Sequence, residues 1–262
     1  MELLIDADYI VYKNCAAAET ELDFGEDVIL VTSNFSDAYN ATTKELDKLK
    51  DEFVFPNIKL FFSDTKNFRK KIAPSYKGHR NRKKPCGYKR VINKLKTEFE
   101  VIVMPELEAD DAMGIYATQY PGNIIVSPDK DMKQIPGTLY NLDEKFTITP
   151  DGGRAWHLIQ CLSGDQTDGY SGVPGIGVKR AETLFNKEGY SWKTVVKAFT
   201  DKGLTEYDAI LNARLARILT IDDYDTEKQE VRLWTPKPDY EVNVRTGFKD
   251  EDTRRQIKSN LL

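Results

Sequence analysis

Carboxylates are the side chains in this 262-residue sequence whose types and spacing could perform chemistry. They recur singly or in short acidic groups at distant points of the chain: Asp6, Asp64, Glu108, Asp110, Asp111, Asp129, Asp131, Asp165 and Asp168. Like charges brought together in this way would raise one another's pKa and destabilise the fold unless cations lay among them. Because carboxylates would bind a metal ion only through oxygen atoms, the set predicts Mg²⁺ or Mn²⁺ rather than zinc.

This set of ligands predicts two bound ions and a reaction at phosphorus. Two divalent ions about 4 Å apart can stabilise both the attacking and the leaving oxygen of an in-line displacement. The chain has no Gly-rich loop of the Walker type, which argues against an ATPase. Its two histidines and three widely spaced cysteines exclude most histidine-centred catalysis, a disulfide framework and a CxxC zinc site. We therefore expect phosphodiester hydrolysis.

Four short apolar segments precede the carboxylates and are predicted to be strands of an α/β sheet: residues 3–5, 58–62, 101–103 and 124–126. Each segment ends in an acidic residue or just before one. Ligands of open α/β sheets bind beyond the carboxyl ends of the strands, so the topology would bring the carboxylates to one place. The group from Glu108 to Asp111 should open a helix, whose positive end favours acids in its first turn.

A basic segment, residues 66–96, carries 13 Lys and Arg residues and no acid, whereas the rest of the chain has 25 basic and 42 acidic residues. Such a block repels itself unless a polyanion or the acidic remainder of the protein holds it. Tyr76 and Tyr88 lie among the cations and offer faces for base stacking. Pro and Gly residues interrupt the segment, which predicts a loop rather than one helix. The pattern favours nucleic-acid binding over a solvated basic loop.

A glycine hairpin, residues 172–177, precedes Lys179 and Arg180. The glycines would let backbone N–H groups approach a phosphate at the start of the following helix, which matches sequence-independent DNA binding. From Trp156 onward the pattern is mainly helical, with apolar spacing in residues 192–199 and 210–219. An edge strand is expected at residues 230–234, followed by a polar tail.

Two local predictions concern the region after the first strand. A short helix should lead into a hairpin formed by residues 21–24 and 28–32. Ser33 is predicted to cap a helix whose apolar stripe is Phe35, Ala38, Thr42, Leu46, Leu49 and Phe53.

The overall composition is that of a folded chain rather than a disordered one, with 40% hydrophobic and 31% charged residues. No apolar run approaches the roughly 20 residues of a membrane helix, and the acidic N-terminus is unlike a signal peptide. We expect a cytoplasmic protein with no membrane partner.

The sequence resembles the flap-endonuclease and 5′→3′ exonuclease superfamily. The motifs that carry the resemblance occur in the family's order: LIDAD (4–8), FSD (62–64), YKGHR (76–80), ELEADD (106–111), SPDKDMKQI (127–135) and SGDQTDGYSGVPGIGVKRA (163–181). GDQTDGYSG, together with WHL (156–158) and the segment 216–236, is most similar to exonucleases of short-tailed DNA phages. The resemblance implies a PIN-like (resolvase-like) parallel sheet flanked by helices, with a helix-hairpin-helix element in a helical C-terminal part.

The same resemblance implies roles for individual residues. Asp6, Asp64, Glu108, Asp110, Asp111 and Asp129 match the catalytic metal site, and Asp131, Asp165 and Asp168 match ligands of the second metal. Lys77 and Arg80 match basic residues over the active site that stabilise charge on the scissile phosphate. Tyr76 matches a base-stacking position. The residues expected to grip the duplex backbone are Gly172, Gly175, Gly177, Lys179 and Arg180, with K⁺ held by carbonyls of the hairpin in relatives.

The implied organisation is a nuclease core at 1–160 that includes the basic arch at 66–96, a helix-hairpin-helix region at 161–225, and a C-terminal strand and tail at 226–262. The implied activity is Mg²⁺- or Mn²⁺-dependent 5′→3′ hydrolysis of duplex DNA to 5′-phosphorylated products. Cleavage of 5′ flaps and removal of RNA from RNA/DNA hybrids are further expectations. If the chain is phage-encoded, it would act in the host cytoplasm.

Three other interpretations stay open at this point. A haloacid-dehalogenase-type phosphatase would use Asp6 and Asp8 after a strand, but it leaves the basic segment and the glycine hairpin without a role. A small ribonuclease of related fold would lack the hairpin and the helical C-terminal third. A catalytically inactive DNA-binding scaffold would have to bind a polyanion beside nine carboxylates.

Overall fold

The computed structural model describes residues 2–54, 57–80, 83–237 and 242. Within these residues the α-helices are α1 (Ala7–Ala17), α2 (Phe35–Phe53), α3 (Arg69–Ile72), α4 (Tyr88–Leu95), α5 (Ala109–Gln119), α6 (Pro150–Ser163), α7 (Val178–Glu188), α8 (Trp192–Thr200) and α9 (Glu206–Ala216). The strands are β1 (Leu3–Asp6), β2 (Glu19–Asp23), β3 (Ile29–Ser33), β4 (Ile58–Phe61), β5 (Glu100–Ile102), β6 (Ile124–Val126), β7 (Gly137–Tyr140), β8 (Lys145–Ile148), β9 (Tyr224–Asp225) and β10 (Glu230–Val231). Short 3-10 helices lie at Lys130–Gln134 and Ile221–Asp223.

A six-stranded sheet organises the first part of the chain, with strand order β5-β4-β1-β6-β7-β8. All neighbouring pairs are parallel except β7 and β8, which form an antiparallel hairpin. Leu3, Leu4 and Ile5 of β1 are fully buried, as expected of a strand covered on both faces. The predicted α/β class, a mostly parallel sheet flanked by helices, is confirmed.

The four predicted strands correspond to β1, β4, β5 and β6, and they enter the sheet side by side. The carboxyl ends of these parallel strands therefore meet at one edge, which is the edge that the acidic residues follow. Sequence reading missed β7 and β8, whose four-residue segments are too short to show a clear alternation.

The hairpin of β2 and β3 and the helix α2 were both expected, but the predicted helix cap was wrong. Asn34, not Ser33, is the N-cap of α2: its side-chain oxygen accepts hydrogen bonds from the backbone N–H groups of Ser36 and Asp37. Ser33 is the last residue of β3, so its backbone belongs to the strand ladder. The predicted apolar stripe packs inward, with Ala38, Thr42, Leu46, Leu49 and Phe53 buried.

A second hydrophobic core lies among α6, α7, α8 and α9, where Leu162, Phe185 and Phe199 are almost fully buried. The helix expected over 192–199 is α8. The helix expected over 210–219 ends three residues early, at Ala216. Arg217 is extended (φ −66°, ψ 120°), and the backbone N–H groups of Ile218 and Leu219 donate to side chains that are distant in sequence. The edge strand expected at 230–234 is limited to β10, which pairs with β9.

The predicted C-terminal tail falls mostly on residues 238–241 and 243–262, which lie outside the described residues, as does Arg82 of the basic segment. In the described part of the chain, no helix combines the length and apolar composition that a membrane span requires. The remainder of the basic segment contains two short helices, α3 and α4, separated by turns.

Candidate active site

Three carboxylates form the centre of the site, one at the end of a strand, one just after a strand and one in the first turn of a helix. Asp6 ends β1 and caps α1 through Tyr9, and Asp110 lies in the first turn of α5. Asp129 follows β6 and caps the 3-10 helix at Lys130–Gln134. The buried Ser127 hydroxyl connects two of them: it donates to Asp6 Oδ2 at 3.0 Å and accepts from the backbone N–H of Asp129 at 3.2 Å.

The charges of these three carboxylates repel one another. Burial and the nearby charges of Asp129 and Asp6 raise the pKa of Asp110 well above its usual range. Burial, aided by the charges of Asp8 and Asp129, raises the pKa of Asp6 to about 6. We call Asp6, Asp110 and Asp129 the central trio. Lys77, Arg80 and Lys130 form ion pairs with carboxylates outside the central trio, among the residues that the structure describes.

Glu108, the N-cap residue of α5, is held by cations instead. Lys77 Nζ lies 2.5 Å from its Oε1, and Arg69 lies 3.3 Å from its Oε2. Burial alone would raise the pKa of Glu108, but Lys77 and Arg69 lower it to about 2. In the same way, burial would lower the pKa of Lys77, whereas Glu108 and Asp168 raise it. Glu108 and Lys77 therefore stay charged throughout the physiological range.

Asp168 brings the loop after α6 to the basic segment. Its carboxylate lies 2.6 Å from Arg80 and 3.5 Å from Lys77 Nζ, and its backbone carbonyl accepts a hydrogen bond from the Lys77 N–H at 2.8 Å. The residues predicted to stabilise phosphate charge, Lys77 and Arg80, are thus beside the carboxylates as the sequence implied. In this arrangement their positive charges are shared with Glu108 and Asp168.

The two tyrosines expected to stack on bases are placed differently. Tyr76 is only 2% exposed, and its hydroxyl donates to Glu108 and Asp168 at 3.0 Å each. Tyr88 is 5% exposed and its hydroxyl is bonded to Asp8. Rings this buried present no free face to a base, so base stacking by Tyr76 is not the role its placement supports. Tyr76 instead joins two acidic groups, and Asp8, which sequence reasoning passed over as a site residue, anchors α4.

Asp131 and Asp165 form a second cation-bridged group. Lys130 Nζ lies 3.1 Å from Asp131 Oδ1 and 2.6 Å from Asp165 Oδ2. Burial and the charge of Asp129 raise the pKa of Asp131 to about 6, although Lys130 opposes the shift. Asp165 also accepts hydrogen bonds from the N–H and hydroxyl groups of Thr167, which help to lower its pKa against the effect of burial.

Asp111 is completely buried and both of its oxygens are bonded to Arg69, at 2.6 and 2.8 Å. Asp111 therefore differs from the other acids predicted as metal ligands. A carboxylate whose two oxygens are both bonded to a buried guanidinium has little capacity to bind another cation. Arg69 was not singled out from the sequence. A lone Arg in a run of basic residues carries no signal of burial, and its acidic partner is 42 residues away.

Asp64 is held by backbone groups of the loop that leads to α5. Its Oδ2 accepts from the N–H of Glu106 and its Oδ1 from that of Thr65, at 2.8 and 2.7 Å. These hydrogen bonds lower the pKa of Asp64. The structure thus shows Asp64 supporting the loop that carries Glu108, and it shows no ion pair of Asp64 among the described residues.

The glycine hairpin lies between α6 and α7, as predicted. Gly172 has φ +62°, and a Cβ there would lie 2.4 Å from the backbone N of Gly164, so only glycine fits this close approach. Arg180 donates to the carbonyl of Gly175 at 2.6 Å. A cleft of about 1160 Å³ extends from Asp129 and Lys130 to the segment Gly175–Arg180, and so connects the hairpin with the acidic residues.

No group of three or more His, Cys, Asp and Glu side chains within residues 2–54, 57–80 and 83–237 is arranged so that it could hold a metal ion as it stands. Lysine and arginine side chains lie on several of the carboxylate oxygens instead. The site is therefore an acidic centre surrounded by carboxylate–cation pairs, at the carboxyl edge of a parallel sheet.

This fold, with acidic residues at the carboxyl edge of its sheet, agrees with the nuclease family that the motifs indicated, and the sequence matches a model of that family directly. The family model "5′-3′ exonuclease, N-terminal resolvase-like domain" matches residues 1–151. The chain belongs to the 5′-3′ exonuclease family, which confirms the resemblance carried by the six motifs.

Two phage proteins and one solved structure illustrate the relationship. The chain is 30% identical to the exodeoxyribonuclease of Enterobacteria phage T3, over 90% of this chain and 93% of that one. It is 29% identical to the exonuclease of Escherichia phage T7, over 89% and 93%. The T5 5′-exonuclease with bound zinc has the same fold, with a TM-score of 0.63, 16% identity, and coverage of 82% of this chain and 88% of that one.

Proposed function

We propose that this protein is a divalent-metal-dependent 5′→3′ exodeoxyribonuclease that releases 5′-phosphorylated products from duplex DNA. The observation that carries the proposal is the central trio, whose carboxylates repel one another beside Lys77 and Arg80. Relatives named exodeoxyribonuclease and exonuclease over nine-tenths of the chain support it. The phosphatase interpretation loses its support, because the model of the exonuclease family covers Asp6 and Asp8, and the similarity to a phage exodeoxyribonuclease extends over 90% of the chain.

The donor chemistry of the central trio fits Mg²⁺ or Mn²⁺, because all its donors are carboxylate oxygens and their mutual repulsion is what a cation would relieve. We infer that Asp6, Asp110 and Asp129 with Glu108 hold one ion, and that Asp131, Asp165 and Asp168 hold a second. When bound, the ions supply an activated water and stabilise charge at the scissile phosphate. The zinc bound to the T5 relative is consistent with a divalent site in this fold. Asp64 and Asp111 act in this proposal by holding the loop and helix that present the ligands.

Lys77 and Arg80 would neutralise charge on the substrate. A scissile phosphate that approached the acidic centre would meet these cations, and Glu108 and Asp168 hold them in place beforehand. Preorganised cations of this kind stabilise the transition state without reorganising during the reaction. Tyr76 fixes Glu108 and Asp168 relative to each other, so it supports the same arrangement.

The glycine hairpin would hold the DNA backbone away from the reacting phosphate. Lys179 and Arg180 open α7, and the cleft from Asp129 to Arg180 offers a path for the strand between the hairpin and the acidic centre. Hairpin carbonyls are the proposed ligands of a K⁺ ion.

We also propose that the chain is divided into a nuclease core at 1–160, a helix-hairpin-helix region at 161–225 and a C-terminal part at 226–262. Further proposed activities are the cleavage of 5′ flaps and of RNA in RNA/DNA hybrids. The proposed place of action is the host cytoplasm.

One digestion experiment tests this function. A duplex labelled at either its 5′ or its 3′ end is incubated with the protein and Mg²⁺ or Mn²⁺, with a flapped duplex and an RNA/DNA hybrid in parallel. Early release of 5′-phosphorylated mononucleotides from the 5′ label, abolished by chelation, is the expected result. Release of an intact flap alone would make the protein a structure-specific endonuclease. Tight binding without cleavage in either metal would contradict the proposal and favour an inactive DNA-binding scaffold.

A further inference from the structure

The segment that joins the end of α9 to the chain beyond it, residues 215–219, lies between two groups of site carboxylates, and we call it the strap. It was expected to be helical throughout, but α9 ends at Ala216 and Arg217 is extended. The backbone groups of the strap bond alternately to two sets of buried side chains. Leu215, Arg217 and Leu219 bond to the pair Arg69–Asp111, and Ala216 and Ile218 bond to Gln134.

The first of these connections, the arginine link, runs through Arg69. Its guanidinium donates to the carbonyls of Leu215 and Arg217 at 3.0 and 2.5 Å. The same guanidinium holds Asp111 at two points and reaches Glu108 at 3.3 Å.

Asp111 closes the arginine link, because its Oδ1 also accepts from the N–H of Leu219 at 3.2 Å. The strap lies directly on α5 at this point: a Cβ on Gly114 would be 2.3 Å from the Leu219 carbonyl oxygen. The position of Glu108 is therefore fixed relative to the strap.

The second connection, the glutamine link, runs through Gln134 and Gln160, both 2% exposed. Gln134 donates to the Ala216 carbonyl at 2.6 Å and accepts from the Ile218 N–H at 3.0 Å. It also donates to Gln160 Oε1 at 2.7 Å, and Gln160 in turn donates to Asp131 Oδ1 at 2.5 Å.

Replacing both partners of a buried hydrogen bond by apolar groups of the same shape can be nearly neutral, so stability alone does not require buried polar links of this kind. What distinguishes these two links is where they end: each runs from the strap to a carboxylate of the site, Glu108 on one side and Asp131 on the other.

We propose that the strap sets the spacing between the Glu108 group and Asp131, and that Gln160 is a positioning residue for divalent-ion binding. The inference rests on the proposed function, because it assigns Asp131 to a metal ligand set. Gln160 acts through Asp131: its amide N–H fixes the carboxylate's orientation and leaves the other oxygen, Oδ2, for a cation. Groups that orient metal ligands in this way typically contribute about 10- to 100-fold to metal affinity.

The test compares Gln160→Met with His157→Leu. Methionine keeps the length of the side chain and removes the donor to Asp131. His157 is a matched control: it lies on the same helix, is fully buried, and bonds to the backbone of Ala213 instead of a carboxylate. Titration calorimetry of the DNA-free proteins with Mn²⁺ gives metal affinity directly, and the Mg²⁺ concentration for half-maximal cleavage gives a second readout.

We expect Gln160→Met to weaken Mn²⁺ binding about tenfold or more and to raise the Mg²⁺ requirement by a similar factor. His157→Leu should lower the melting temperature and leave both metal readouts unchanged. If Gln160→Met does not fold, Gln160→Asn, which keeps a buried amide but shortens its reach, is measured in its place with the same expectation.

Wild-type Mn²⁺ affinity in whichever Gln160 variant folds would overturn the inference. An equal loss of Mn²⁺ affinity in His157→Leu would also overturn it. These results differ from failure of the proposed function. If the wild-type protein neither binds Mn²⁺ nor cleaves DNA with it, the proposed function is wrong; if it does both and the variants match it, only the inference is wrong.

Discussion

Six carboxylates of this site fall into two sets that differ in how their charge is balanced. Glu108, Asp165 and Asp168 each lie within 2.6 Å of a lysine or arginine. The central trio lies among the same elements, but the charges of its members raise the pKa of Asp6 and Asp110. One set is balanced by the protein's own cations, whereas the repulsion within the other would be relieved by a bound metal ion.

This difference separates two tasks that acidic residues perform. Carboxylates paired with Lys or Arg orient those cations and keep their own charge, as the low pKa of Glu108 shows. Carboxylates that repel one another store an unfavourable energy that a divalent cation would release on binding. We therefore expect the central trio to contribute most to binding of the divalent ions. The paired set supplies further ligands and also positions Lys77, Arg80 and Lys130.

The largest effect is expected from neutralising a member of the central trio, with a member of the paired set as the comparison. Asp110→Asn should reduce cleavage about 10⁴-fold, because the central trio would lose one of the carboxylates proposed to hold a divalent ion. Asp165→Asn should cost about 10- to 100-fold, because Lys130 already balances part of its charge. Single-turnover cleavage of a 5′-labelled duplex at saturating Mg²⁺ measures both. Equal losses in the two variants would show that the distinction between the sets has no catalytic meaning.

An intermediate effect is expected from removing a cation of the paired set. Lys77→Met should lower the cleavage rate about 10²- to 10³-fold, because a preorganised charge beside the phosphate is lost. Lys71→Met is the matched control, since Lys71 belongs to the same basic segment and pairs with Glu106 at 2.5 Å on the exposed surface. Single-turnover rates at saturating DNA separate catalysis from binding. A comparable loss in both variants would mean that the segment acts only through its overall charge.

The smallest effect is expected far from the acidic centre. Lys179→Ala should weaken binding to duplexes of any sequence about three- to tenfold and reduce the salt slope by about 1, because one phosphate contact is lost. Lys187→Ala, in the last turn of α7, should change neither. Affinity is measured in Ca²⁺ across a range of NaCl concentrations. An unchanged slope in Lys179→Ala would remove the hairpin region from the DNA interface.

The sequence predicted the parts of the site that depend on chain topology. Asp6 and Asp129 follow buried strands, and parallel strands next to each other must deliver their ends to one edge. The glycine hairpin could be located between two helices because positive φ and close backbone approach require glycine at Gly172.

The parts that could not be predicted depend on side-chain partners that are distant in sequence. Nothing in the basic segment distinguishes Arg69, which is buried against Asp111, from the solvent-exposed Lys71. The aromatic position of Tyr76 suggested a base contact, whereas the folded chain buries the ring between cations and acids. Ile218 and Leu219 continue the helical spacing of α9, but their backbone N–H groups donate to the side chains of Gln134 and Asp111 instead of to carbonyls of α9.

The most direct test of the central claim is the thermal stability of the wild type and Asp110→Asn at pH 8, in EDTA and in saturating Mg²⁺. A buried acid with a raised pKa stabilises the fold while protonated and loses that contribution as the pH rises through its folded-state pKa. In EDTA at pH 8, Asp110→Asn should therefore melt a few degrees above the wild type, and this gain should shrink towards pH 4. Saturating Mg²⁺ should stabilise the wild type more and reverse the order. A variant that melts below the wild type in EDTA, or equal Mg²⁺ shifts in both proteins, would contradict the account.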